Sequence, residues 1–144
     1  MRKRSFGIAL GAAVMSVGLL AQPALADVGL PYTFKIDFIS GADNGVKTPN
    51  FSSNASGKIC VRPDLFQSRP AFEEGGGDFR YKIQLWQNKT GSDSRVGTFN
   101  FTVGSAGKQC YTGVPKNKKV YLHITKTVHV QNQLLAGDGK VTYT

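Results

Sequence analysis

Apolar and polar residues alternate with a period of two along most of this chain. Tyr32, Phe34, Ile36 and Phe38 interleave with Thr33, Lys35 and Asp37, and Phe79, Tyr81, Ile83 and Leu85 with Arg80, Lys82 and Gln84. Phe99, Phe101 and Val103 interleave with Thr98, Asn100 and Thr102, and Val120, Leu122 and Ile124 with Tyr121, His123 and Thr125. Successive side chains of a strand point to opposite faces. Each run therefore predicts an antiparallel strand with one face on a core and one in water. Val128 and Val130 resume the pattern after Lys126, and 58–62 and 140–143 are weaker strand candidates.

The residues between the runs are turn formers. The stretch 41–54 is rich in Gly, Asn, Ser and Pro and predicts a loop, and 69–78 holds Pro70 and Gly75-Gly76-Gly77. Shorter turns are expected at 88–94, 104–107, 115–118 and Gly137-Asp138-Gly139. Only 131–136 has any helical character, and there is no internal repeat or second composition zone. Six or seven short strands with such punctuation predict an all-β fold. The expected architecture is a small antiparallel β-sandwich, Ig-like in the broad sense, ahead of a small barrel.

The N-terminal 26 residues break this pattern. Arg2, Lys3 and Arg4 precede an apolar run from Phe6 to Leu20, followed by Pro23 and Ala24-Leu25-Ala26. A basic start, a short apolar stretch and small residues before a cut predict a secretory signal cleaved between Ala26 and Asp27. The run is short for a membrane span, and no stop-transfer segment follows it, so a transmembrane protein is not expected. The expected organisation is a signal at 1–26 and one sandwich domain at 27–144. The expected location is secreted, either extracellular or in the periplasm or cell envelope.

Export changes the meaning of both the cysteines and the charge. Cys60 and Cys110 are the only cysteines in the chain. In an oxidising compartment such a pair predicts one intramolecular disulfide. On the 58–62 strand, Ile59 and Val61 share a face, which puts Cys60 with Lys58 and Arg62. Cys60 is accordingly expected at a strand end or bulge, or tied to the turn before Tyr111. The signal holds three of the 18 basic residues and no acid, so its loss lowers the formal net charge from +9 to +6. That surplus suits either solubility or an anionic partner.

Residues for catalysis are scarce. His123 and His129 are the only histidines, both in outward slots, and no Gly-x-Ser-x-Gly elbow or phosphate-cradling loop occurs. Glu73, Glu74 and Asp78 flank the glycine triplet, but adjacent acids supply too few oxygens for calcium and too little separation for glycoside hydrolysis. The expectation is no enzyme, no metal and no cofactor. Four Asn-x-Ser/Thr triplets, at Asn50, Asn54, Asn88 and Asn100, would matter only in a host that glycosylates exported proteins.

Basic residues are better candidates for function. Lys116, Lys118 and Lys119 crowd one turn, while Lys35, Arg80 and Lys82 stand on polar strand faces. Trp86 and Tyr121 also fall on outward slots. If their strands are neighbours, these side chains form a positive stripe with aromatic groups, able to stack on a glycan or hold an anionic polymer. The same lysines also serve to blunt exposed sheet edges. The function expected is a non-catalytic binding module for an extracellular protein or an anionic surface polymer, through the basic turn and strand face or through a free sheet edge. A secreted antimicrobial effector, a toxin-assembly subunit and an inhibitor of an extracellular enzyme are the alternatives. Intracellular nucleic acid is not an expected partner.

Overall fold

Alternating side chains require a second layer to bury their apolar face, and this chain supplies that layer itself. The structure, a computed structural model, describes residues 27–39, 45–67, 80–104, 107–126 and 135–144. It is all-β among the described residues, with two antiparallel sheets packed face to face. In chain order the strands are β1 (Tyr32–Ile39), β2 (Val46–Lys47), β3 (Phe51–Ser52), β4 (Lys58–Gln67), β5 (Arg80–Gln87), β6 (Ser94–Thr102), β7 (Gln109–Thr112), β8 (Lys119–Lys126) and β9 (Leu135–Thr142). One sheet runs β1-β9-β4-β7, and the other runs β2-β8-β5-β6 with β3 also on β8. The expected sandwich is the observed one.

The inner faces are the apolar halves of the alternating runs. Phe34, Ile36, Ile59, Val61, Leu65 and Val141 of the first sheet meet Tyr81, Ile83, Leu85, Phe101, Leu122 and Ile124 of the second. Tyr111 of β7 closes one side, its ring against Phe99 at 4.4 Å and its hydroxyl donating to the Ile83 carbonyl at 2.6 Å. Gly97 makes room for this ring, because a Cβ there would lie 2.9 Å from Tyr111 Cδ1. Lys126, two steps of alternation beyond Leu122, takes an inward slot at the end of β8 and is buried, which pulls its ammonium pKa down.

Several local expectations are corrected. The Gly137-Asp138-Gly139 triplet is not a turn but the middle of β9, paired with β1 on one side and β4 on the other. Glycine is needed there for space. A Cβ on Gly139 would meet the Phe34 ring at 2.2 Å, and one on Gly137 the Asp64 carbonyl at 2.3 Å. Residues 135–136, expected to be helical, begin the same strand. The 41–54 loop contains β2 and β3, held to β8. The signal segment, Phe79, Val128, Val130, His129, Glu73, Glu74 and Asp78 lie outside the described residues.

The disulfide exists, and its setting corrects the placement at a strand end. Cys60 lies inside β4 and Cys110 inside β7, directly opposite each other, with Cα atoms 4.0 Å apart. It staples an edge strand within one sheet, on the outer face beside Lys58 and Arg62 as the spacing implied. Such closely spaced pairs exchange no backbone hydrogen bonds. The polar groups of Cys60 therefore turn toward β9, and those of Val61, Pro63 and Leu65 turn toward β7. β7 ends opposite Val61, so no described strand pairs with Pro63 on that side, and its missing N–H interrupts no described ladder bond. Further along that side the Leu65 carbonyl accepts from the Gly104 N–H at 3.3 Å.

Candidate functional site: the outer face of the five-stranded sheet

The outer face of the second sheet carries the side chains that the alternation keeps out of the core. Pairing registers set them in rows across neighbouring strands. Trp86 on β5 stands between Tyr121 on β8 and Arg95 on β6. The next row holds Lys47, His123, Gln84 and Thr98, followed by Thr125, Lys82 and Asn100, and then by Arg80 and Thr102. Neighbouring strands lie about 4.8 Å apart, so each row brings its side chains into mutual reach.

A β-bulge decides what stands beside the tryptophan. Leu85 pairs with Gly97 but Trp86 with Arg95, leaving Val96 as the extra residue. Unbroken alternation along β6 would place Val96 outward with Thr98 and turn Arg95 inward. The bulge reverses this, so Val96 packs against the core and Arg95 is exposed next to Trp86.

The aromatic pair is fixed by its polar ends. Trp86 Nε1 donates to Gln84 Oε1 at 3.3 Å, two residues back on the same face. The indole is thus tied at its Nε1 to Gln84, which is only 8% exposed. The Tyr121 hydroxyl donates to Asp93 Oδ2 at 2.8 Å, and Lys47 Nζ sits 5.3 Å from the centre of its ring. Tyr121 keeps its outward slot but is only 6% exposed, which leaves Trp86 as the ring presented by this row. Asp93 also accepts from the Lys89 N–H at 3.0 Å, which closes the β5–β6 turn. That backbone bond, then the Tyr121 hydroxyl, holds the Asp93 carboxyl below the usual range.

Burial, followed by the neighbouring Asp93, pushes the Tyr121 hydroxyl up to about 12. A phenol with a raised folded-state pKa contributes stability that is complete below its ordinary value of 10 and is lost as pH climbs through the raised one. Denaturant midpoints should therefore fall between about pH 10 and pH 12, and Tyr121→Phe should make that fall shallower. Parallel curves for the two proteins would count against this reading.

The sequence-predicted residues divide into three groups. Arg80, Lys82, Trp86 and Tyr121 come together on this face as expected of neighbouring strands. Lys35 does not join them; it lies on β1 in the other sheet, in register with Asp138. Lys116, Lys118 and Lys119 stand at one end of the sandwich, in a turn held by Ser53, whose Oγ donates to the Pro115 carbonyl and accepts from the Lys118 N–H at 2.9 Å. Lys119 is taken up in an ion pair with Asp27 at 2.6 Å. Sequence reasoning missed Lys47, Arg95, Gln84 and Asp93. The Val96-Gly97 step in an otherwise alternating run was the available sign of the bulge, whereas Lys47 carried no sign inside a presumed loop.

No protein family matches this chain, and no curated protein does. Among solved structures it is similar to the N-terminal endo-1,4-beta-D-xylanase 10B of Clostridium thermocellum, whose CBM22-1 and GH10 modules were solved complexed with xylohexaose. The two are 16% identical, with a TM-score of 0.35, over 72% of this chain and 17% of that one.

Proposed function

We propose that this protein is a non-catalytic binding domain that works outside the cytoplasm and holds an anionic polymer on the outer face of its five-stranded sheet. One observation carries the reading. Lys47, Arg80, Lys82 and Arg95 share that face with a single acid among the described residues, Asp93, whose carboxylate is already engaged by Tyr121 and Lys89. Lys82 and Arg95 make no ion pair among the described residues. The positive field is therefore left for an external partner. The signal-like pattern of the N-terminal 26 residues and the Cys60–Cys110 disulfide support an exported protein.

Reversing Lys82→Glu and Arg95→Glu together should weaken retention on an immobilised polyanion by about tenfold or more at 50 mM salt. Raising the salt to 1 M, where screening acts within about 3 Å, should remove the difference. The same reversal at Lys116 and Lys118 should do less. Retention unchanged by the first pair and lost with the second would transfer the function to the turn.

A further inference from the structure

The outer face also defines what kind of polyanion fits. Building on the polyanion reading, we infer that the ligand is a carboxylated polysaccharide, a uronic-acid chain running along β5 with one sugar ring stacked on Trp86. Trp86 is half-buried and its Nε1 is tied to Gln84, and an indole face accepts the apolar C–H side of a pyranose ring. Arg95 stands one strand spacing away, about 4.8 Å, and its planar fork matches a carboxylate two bonds at a time. A uronic carboxyl is carried directly on the sugar ring, so ring and charge reach the indole and the guanidinium together. Lys82 lies four residues back along the same strand, roughly 13 Å away, in place for the charge of a later sugar.

Other polyanions suit the face less well. Single-stranded nucleic acid binds by stacking successive bases on successive aromatic side chains. Here the neighbouring ring, Tyr121, is buried with its hydroxyl engaged, which leaves one platform among the described residues of this face. Polyphosphate has charge but no ring, so it makes no use of Trp86.

Trp86 is the only tryptophan in the chain, so its fluorescence reports on the platform directly. The test titrates the protein with three probes: oligogalacturonate, its fully methyl-esterified form and inorganic polyphosphate. Oligogalacturonate should shift the emission and bind at least about tenfold more tightly than the ester. Polyphosphate should bind more weakly and leave the emission unchanged. By calorimetry, Trp86→Ala should lose about tenfold in affinity for oligogalacturonate and none for polyphosphate, with Trp86→Phe in between and unfolding midpoints serving as the folding control. Arg95→Lys, which keeps the charge and removes the fork, should narrow the preference for the acid over the ester. Equal affinity for oligogalacturonate and polyphosphate, indifferent to Trp86→Ala, would overturn the uronic-acid assignment and leave the polyanion reading intact. Binding to none of the probes would remove both.

Discussion

Replacing Cys60 and Cys110 together with alanine lowers the free energy of unfolding by about 4 kcal/mol. This is the chain-entropy value for a closed loop of the 50-residue separation found here. It is a large part of the 5–15 kcal/mol that typically stabilises a domain. The structure adds a second consequence. The bond joins β7 to β4, and β7 carries Tyr111, whose ring packs on Phe99 and whose hydroxyl holds the Ile83 carbonyl of the opposite sheet. Freed from its staple, β7 is a four-residue edge strand, so that margin of the sandwich should open before the rest. Denaturant unfolding of the oxidised protein, the reduced protein and the double variant checks this. The last two should agree with each other, and hydrogen exchange should rise first at 109–112. Equal stability of the oxidised protein and the double variant would refute the entropic account.

Gly139→Ala should destabilise the protein by about 3 kcal/mol, at the upper end for overpacking a core. Gly139 and Phe34 face each other across β9 and β1, and the Phe34 ring covers the bare glycine backbone. A new Cβ would lie 2.2 Å from Phe34 Cζ, with further ring atoms at 2.6 and 3.0 Å. The phenyl ring is wedged in the core at 2% exposure, so it has no free volume to enter. A second change tests the cause. Phe34→Leu costs stability alone by opening a cavity, but in the presence of Gly139→Ala it should recover part of the loss, giving a favourable coupling of about 1 kcal/mol or more. Additive effects in this cycle would show that the glycine is there for another reason.

Both residues show how far alternation could be read. Phe34 and Ile36 announced a buried face because every second residue was apolar, and the partner strands 80–87 and 119–126 did the same. β9 was illegible for a physical reason. Its central Gly137 and Gly139 lack side chains because neighbouring atoms fill that space, and glycine in a sequence usually signals a turn. Short β2 and β3 were illegible as well, since two residues hold too little pattern and their conformation comes from pairing with β8.

The candidate site divides in the same way. Lys82, Trp86 and Tyr121 were legible because one side of a strand follows from counting by twos. Their assembly was not, since it required β5 and β8 to be neighbours and Lys35 to fall in the other sheet. Arg95 was the hardest to read, because one extra residue at Val96 inverted the alternation there.

By itself, then, the sequence determined the fold class, the core-facing residues of β1, β5 and β8 and the pairing of the two cysteines. Those properties depend on local periodicity or on a choice of one pair, and neither needs a third dimension. The tertiary structure alone decided which strands adjoin, where the bulge falls and which ring of the Trp86–Tyr121 pair is the less buried. These depend on register between segments far apart in the chain, and register is set by packing and backbone pairing.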